Sequence, residues 1–307
     1  MTAPARRTSR RRTYLLIDYL SLFYRAFYSM PDTVHMHGVH GFLSMLARLI
    51  GDRRPTDLVI AIDEDWRPAF RVAAIPSYKT HRVVEESEEG EEGEEGEEAD
   101  PVLDQEAIGR EVLAAVGIAV AGAPGYEAED VIATLIRGAR ARVEIVSGDR
   151  DLFALVRDPD VRVLYPTKGV STLAEIDEGE IERRYDIPGR AYADYAILRG
   201  DPSDGLPGVR GIGEKTASQL IRAYGSLAGV EAARDLPAPI ARKVDGAREY
   251  LQAAREVVYP VEDAPVRKVV TRLPRKAAHP RTLTRLAAEY QLEGPVRRLL
   301  EALTAAP

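Results

Sequence analysis

A parallel α/β sheet domain followed by a helical region is the fold class that the sequence predicts, and two patterns predict it. From Thr13 to about Tyr165, short apolar runs alternate with stretches of helical periodicity, the arrangement of strand–helix–strand units in a buried parallel sheet. From about Ile181 onward the strand-like runs give way to amphipathic helices. A third observation concerns chemistry. Three predicted strands end at or just before an aspartate: Asp18, Asp63 and Asp149. In open α/β sheets ligands gather beyond the carboxyl ends of the strands. Taken singly, each aspartate reads as the cap of the next helix; together they would put three carboxylates around one crevice.

The elements follow in order. Thr13–Ile17 (TYLLI) is a buried-strand run, followed by helical patterns over about Leu20–Tyr28 and Val39–Ile50. Leu58–Ile62 (LVIAI) is a second strand. A helix-like stretch covers about Val102–Val116, a short strand Ile118–Val120, and GYEAED opens an amphipathic helix. Val143–Val146 and Val161–Tyr165 are further strands, and VRKVV at 266–270 reads as a returning one. The boundary falls in DIPGR near 186–190, dividing the chain into residues 13–187 and 188–307; Leu283–Leu303 is again helical.

Composition narrows the function classes. With 45% hydrophobic and 30% charged residues, the chain reads as soluble and globular. No apolar run approaches the roughly 20 residues of a membrane span, so no membrane partner is expected. There is no cysteine, which excludes disulfides and thiolate metal sites. Residues 1–12 form a basic arm with no apolar segment of a secretory signal, so the cytoplasm is the expected compartment. The net charge of −7 is misleading, because residues 85–98 (EESEEGEEGEEGEE) hold ten Glu; without those ten charges the remainder is +3. Such a block self-repels and reads as a disordered acidic insertion.

The candidate site is a set of carboxylates: Asp18, Asp63, Glu127, Glu129 and Asp130 of GYEAED, Asp149 and Asp151 of SGDRDLF, and Asp201 and Asp204 of GDPSDG. Gathered without cations they would repel and titrate to neutral. Oxygen-only donors without cysteine point to Mg²⁺ or Mn²⁺, and two such ions activate water and stabilise the leaving oxygen of a phosphodiester. Immediately downstream, PGVRGIGEKTA places glycines before a helical run, where exposed N–H groups can grip a phosphate. Lys79, Arg82 and Arg71 are cations suited to phosphate, and Tyr78 is an aromatic suited to stacking on a base; each also fits a solvated basic turn. Tyr24 and Arg25 carry the same two readings.

In order, Asp18 with YRAF, Asp63 with FR and YKTHR, GYEAED, SGDRDLF, and GDPSDGLPGVRGIGEKTA with YGSL resemble the bacterial 5′-3′ exonuclease and flap endonuclease family, in its stand-alone form rather than as the 5′-nuclease domain of a type-A DNA polymerase. The resemblance spans about residues 13–260. It implies a PIN-like nuclease domain followed by a helix–three-turn–helix DNA-binding module. It implies two-metal hydrolysis of DNA at 5′ ends and 5′ flaps near single-strand/double-strand junctions, in replication and repair. By the same resemblance, Asp18, Asp63, Glu127, Glu129, Asp130 and Asp149 build the first metal site, and Asp151, Asp201 and Asp204 the second. Lys79 and Arg82 meet the scissile phosphate. Arg25 and Arg71 help hold the substrate, to which the residue reading adds Tyr24 and Tyr78 as DNA-binding candidates, and Gly208, Gly211, Gly213 and Lys215 grip the duplex with a monovalent cation such as K⁺. The family pattern is broken at Tyr19 and Leu20 after Asp18, at Glu129, at Gly205, and by the acidic block where an arch threads single strand.

Two other readings stand beside this one: a catalytically impaired DNA-binding protein of the same fold, and a PIN-type ribonuclease, for which PGVRGIGEKTA would be surplus. A monomer is expected, with a DNA polymerase as the candidate protein partner.

Overall fold

The computed structural model describes residues 12–80 and 101–307. Arg82, the acidic block 85–98 and arm residues 1–11 lie outside them.

Apolar runs become the centre of one sheet. Its strands are β1 (Thr13–Asp18), β2 (Asp57–Ala61), β3 (Ala119–Ala121), β4 (Arg142–Val146), β5 (Val161–Lys168) and β6 (Thr172–Ile176), in the order β3-β2-β1-β4-β5-β6. β1 to β5 run parallel, and β6 pairs antiparallel with β5. β6 is the element the periodicity misses, because TLAEI is short and half exposed at a sheet edge. The register sets Ile17 against Ile60 on one side and Val146 on the other. Alternation then sends Tyr14 and Leu16 into one core and Leu15 and Ile17 into the other.

Each face is covered by helices. On the Leu15 side lie α1 (Tyr19–Ser29) and α2 (His37–Arg53); a short α3 (Ala69–Ala74) follows β2, and α4 (Pro101–Val116) joins the Leu15 side. On the Leu16 side lies α5 (Ala128–Arg137), an amphipathic helix begun by a capping box in which Glu127 and Asp130 each satisfy the other's backbone N–H. The helical region follows: α6 (Glu178–Tyr185), α7 (Tyr192–Arg199), α8 (Glu214–Tyr224), α9 (Leu227–Ala232), α10 (Ala238–Asp245) and α11 (Arg248–Val258). Its apolar faces merge with the Leu16-side core through Tyr192, Tyr195, Ile197 and Leu251.

Two expectations change here. The run at 266–270 is no strand: the segment touches the sheet only where the Leu58 N–H donates to the Thr271 carbonyl at 2.7 Å and Arg272 bridges Asp57. The C-terminal amphipathic pattern is two helices, α12 (Pro280–Glu289) and α13 (Glu293–Ala305), and they do not extend the helical module of a 188–307 domain. Leu283, Leu286, Leu299 and Leu303 bury into the Leu15-side core with Phe42, Leu43 and Leu46, each worth about 1.5–3 kcal/mol of transfer free energy. The chain's end thus closes the first domain from behind.

Candidate active site

The strand order reverses at β1/β4, and a crevice opens beyond the carboxyl ends of those strands, where such a reversal places one. It is an open space of about 1400 Å³ walled by Asp18, Asp63, Glu127, Glu129, Asp149, Asp151, Asp201, Asp204 and Lys79, among others. Nearly all the carboxylates named from the sequence therefore converge. The exception is Asp130.

Asp18 ends β1 and caps α1, accepting from the Ser21 N–H at 3.3 Å. Its other oxygen accepts from the Ser147 hydroxyl at 2.6 Å. Burial, together with nearby Asp63 and against the Ser147 hydrogen bond, pushes its carboxyl up to about 7. Asp63 accepts from the Ala128 N–H at 2.9 Å and is also raised by burial. Asp149 accepts from the Asp151 N–H at 2.9 Å. Desolvation within the crevice and the neighbouring Asp204 raise both Asp149 and Asp151, Asp151 strongly.

The acidic motif on α5 is treated differently. Arg71 is fully buried and pairs with Glu127, with Glu129 at 2.5 Å and with Asp130 at 2.8 Å. Lys79 pairs with Glu127, and the Tyr78 hydroxyl donates to the same carboxylate at 2.7 Å. Burial opposes the charges on Arg71 and Lys79, but the surrounding carboxylates outweigh it and hold both protonated. Glu129 lies well above its ordinary range because burial outweighs Arg71.

Three expectations are corrected by this packing. Arg71 and Tyr78 are buried, at 0% and 3% exposure, so neither is a DNA contact. Both serve instead to set Glu127. Asp130 is 0% exposed and spends its oxygens on Arg71, the Glu127 N–H at 3.2 Å and the Val261 N–H at 2.8 Å. It is a structural clamp between α5 and the segment after α11, not a metal ligand.

The loop 200–208 is folded by close approach. A Cβ on Gly208 would stand 2.4 Å from the Arg199 carbonyl oxygen, so this buried glycine is required by packing and is not a DNA contact. A Cβ on Gly205 would stand 1.9 Å from the Ser77 carbonyl oxygen. Here Ser77 donates to the Gly205 carbonyl at 2.7 Å, and the Lys79 N–H to the Asp204 carbonyl at 3.0 Å. Gly205 therefore locks the Asp204 turn to the Lys79 turn. Asp201 accepts from Ser203 and from Arg199, the latter at 3.0 Å. Beyond it, Gly211, Gly213 and Lys215 are exposed at the start of α8, with the Gly211 carbonyl accepting from Lys243 at 2.8 Å.

Tyr19 does not crowd the crevice. It turns into the core, edge-on to Phe42, and donates to the Glu106 carbonyl at 2.8 Å, while Leu20 lines the crevice wall. Tyr24 also lines the crevice and stacks nearly parallel to exposed Tyr28, 16° between rings. Arg25 reaches over Gly148, where a Cβ would meet its guanidinium at 3.0 Å. Sequence reasoning missed Ser147, Arg199 and Tyr28. The serine opens SGDRDLF and reads as spacing before Asp149; its location directly after β4 was the available signal.

The donor set fits hard divalent cations. The crevice offers carboxylate oxygens held up by desolvation and mutual repulsion, the condition a cation relieves. Among the described residues no group of three or more Asp, Glu or His side chains is placed to hold a metal ion as it stands. An open set suits Mg²⁺, which keeps waters and takes one or two protein carboxylates plus substrate oxygens.

A family model described as the N-terminal resolvase-like domain of 5′-3′ exonuclease matches residues 13–186, and one described as the C-terminal SAM fold of 5′-3′ exonuclease matches residues 187–281. A 5′-3′ exonuclease of Streptomyces coelicolor is 46% identical over 303 residues, covering 95% of this chain and 100% of its own. One of Mycobacterium tuberculosis is 41% identical over 317 residues, covering 97% and 99%. Among solved structures, the T5 D15 protein co-crystallized with metal ions shares the fold with a TM-score of 0.67 at 18% identity, over 95% of this chain and 99% of that one.

Proposed function

Because this chain belongs to the 5′-3′ exonuclease family and is a nuclease, we propose that its carboxylate crevice hydrolyses DNA phosphodiester bonds at 5′ ends and 5′ flaps. The observation that carries this reading is the row of carboxylates at the strand ends, raised by desolvation, beside the buried cation Lys79. Asp18, Asp63, Glu127, Glu129 and Asp149 would hold one divalent cation, Mg²⁺ or Mn²⁺, directly or through water. Asp151, Asp201 and Asp204 would hold a second. Bound there, the ions would supply an acidified water and a counter-charge for the leaving oxygen.

The protein's own groups do the rest. Ser147 and the Ser21 N–H orient the Asp18 carboxylate. Tyr78 and Arg71 fix Glu127, so that Lys79 stands at the crevice wall with its charge held. From there Lys79 meets the phosphate and stabilises charge that develops on it, with Arg82 as its partner in that role. Tyr24 stacks on a base and Arg25 takes a phosphate beside Asp149. Gly211, Gly213 and Lys215 hold the duplex backbone at the start of α8, contacts that position DNA without reading its sequence. A K⁺ ion would be held at this turn by backbone carbonyl oxygens and would supply counter-charge to the phosphate there; the Gly211 carbonyl is already taken by Lys243. The protein acts as a monomer, on ends and flaps left by a DNA polymerase.

The test is cleavage of labelled 5′-flap DNA, plain duplex and single-stranded RNA with Mg²⁺, Mn²⁺ or EDTA, beside Asp149→Asn. Flap cleavage that needs a divalent ion and is lost in the variant is the expected result. No flap cleavage with either metal overturns the reading, and cleavage of RNA alone replaces it with a ribonuclease.

A further inference from the structure

The edge of the sheet opposite the crevice carries the opposite charge. Arg12 precedes β1, Arg54 precedes β2 and Arg140 precedes β4, and all three are exposed. The segment after α11 is laid across the same edge. It starts on α5, where the Ala264 N–H donates to the Thr134 hydroxyl at 3.0 Å. It reaches the start of β2 at Thr271 and Arg272. It ends on α4, where the N–H groups of Ala278 and His279 donate to the Val116 and Ala115 carbonyls. Val266 and Val269 pack against the core. The backbone is thereby held, with Arg267, Lys268, Arg272 and Lys276 exposed along it.

These cations are unlike most others in the fold. Arg53, Arg162, Arg190 and Arg255, for example, all sit on carboxylates. Arg54, Arg140, Arg267, Lys268, Arg272 and Lys276 have no carboxylate partner among the described residues. The acids nearest to this edge are already spent. Asp57 is taken by Arg12, Thr56 and Thr271, and Glu144 by Arg53. No acidic residue occurs between Asp263 and Glu289.

We propose that this edge is a second nucleic-acid surface, holding the phosphodiester backbone of a duplex by charge, separate from the crevice and from the turn at Gly211–Lys215. The choice of DNA as ligand rests on the function proposed above. A polyanion is what the surface selects: cations held in a row without carboxylate partners gain most by releasing condensed counterions from a phosphate chain. A lipid surface is disfavoured, because insertion needs an apolar face with the cations and this strip exposes only Val270 as a large apolar group. The consequence is a polarised molecule, in which one pole cuts and the other retains DNA.

The test uses the full chain in EDTA and a blunt duplex of ~40 base pairs, with binding followed by fluorescence anisotropy from low to moderate salt. The variant R267Q/K268Q/R272Q/K276Q should lower the salt slope, log affinity against log salt, by roughly 2–4, since each lost phosphate contact removes about 0.9. Its cleavage of a short flap that reaches only the crevice and the α8 turn should match the unaltered protein. In the unaltered protein, the duplex should shield Lys268 and Lys276 from acetylation, a readout independent of how the variant folds. An unchanged salt slope, or lysines acetylated equally with and without duplex, overturns the proposal. So does tighter binding to anionic vesicles than to duplex. Failure of the proposed activity would show separately, as absent flap cleavage with duplex binding intact.

Discussion

Glu127, Glu129 and Asp130 enter the fold already met by Arg71, and Glu127 by Lys79 as well. Asp18, Asp63, Asp149 and Asp151 stand around the same crevice with no arginine or lysine bonded to them among the described residues; Asp18, Asp63 and Asp149 accept only from hydroxyl and backbone N–H donors. The difference separates two uses of the same side-chain chemistry. A carboxylate neutralised by a buried guanidinium holds structure and is lost with its partner. A carboxylate left without a cation in a desolvated crevice is raised toward neutrality and is a debit to the folded state until a cation arrives. Residues that meet a metal directly are thus best recognised here by what the protein withholds from them, whereas Glu127, Glu129 and Asp201, already paired with Arg71, Lys79 or Arg199, would reach an ion through water.

The sharpest way to break this division is Asp149→Asn. It should reduce metal-dependent flap cleavage at least about 10³-fold, roughly 4 kcal/mol of barrier, measured in single turnover. Its melting temperature in EDTA should stay the same or rise, because a repelled carboxylate has been removed. A clear fall in stability would move Asp149 to the structural group. Arg71→Met should do the reverse. Leaving Glu127, Glu129 and Asp130 buried without their cation costs about 3–5 kcal/mol, read by urea denaturation, and because Arg71 also fixes Glu127 beside Lys79, cleavage by the folded fraction should fall too, but by less than in Asp149→Asn. A variant that is stable but inactive would show that Arg71 serves chemistry after all.

A smaller effect tests the cation-free group through pH. The folded Asp18 carboxyl is raised to about 7, and Asp63, Asp149 and Asp151 are raised with it. Raised folded values mean that stability is fully present below the ordinary carboxylate range and is lost as pH rises through the folded values. In EDTA the protein should therefore melt lower at pH 8 than at pH 5. Mg²⁺ should raise the melting temperature at pH 8 by a few degrees, about 2–4 °C per kcal/mol, and by less at pH 5. An equal Mg²⁺ effect at both pH values would separate metal binding from these carboxylates.

How much of this was legible in the sequence depends on how far each interaction reaches along the chain. Asp18 and Asp149 were legible because a parallel strand of known direction delivers its last residue, or the turn just after it, to one rim, whatever else the fold does. The roles of Arg71, Tyr78 and Asp130 were not, because their partners lie far off in sequence: Glu127 for the first two, Val261 for the third. A cation next to an aromatic, as in Phe70-Arg71 or Tyr78-Lys79, looks the same whether it faces DNA or a buried glutamate. The amphipathic pattern of α12 and α13 correctly demanded a buried face, but periodicity states that a face is covered and not by which helix. At 266–270 the β-branched run looked like a strand, yet Val266 and Val269 only pin an extended segment to the core.

Ser147→Ala is the finest test of the division, because it alters a cation-free carboxylate without changing any charge. The Ser147 hydroxyl is fully buried; it donates to Asp18 at 2.6 Å and accepts from the Asp149 N–H at 2.9 Å, tying the ends of β1 and β4 together. Removing it should cost about 1–3 kcal/mol of stability by leaving buried groups unsatisfied. If Ser147 only fills space, cleavage at saturating metal and at limiting metal should fall by the same factor. If it orients Asp18 for a cation, the Mg²⁺ concentration for half-maximal cleavage should rise about 10–100-fold, as when other groups that orient metal ligands are removed, while cleavage at saturating Mg²⁺ recovers most of its rate. A Ser147→Thr variant, which keeps the hydroxyl, should restore the metal dependence, so the split between rate and metal requirement decides whether the oxygen or the volume matters.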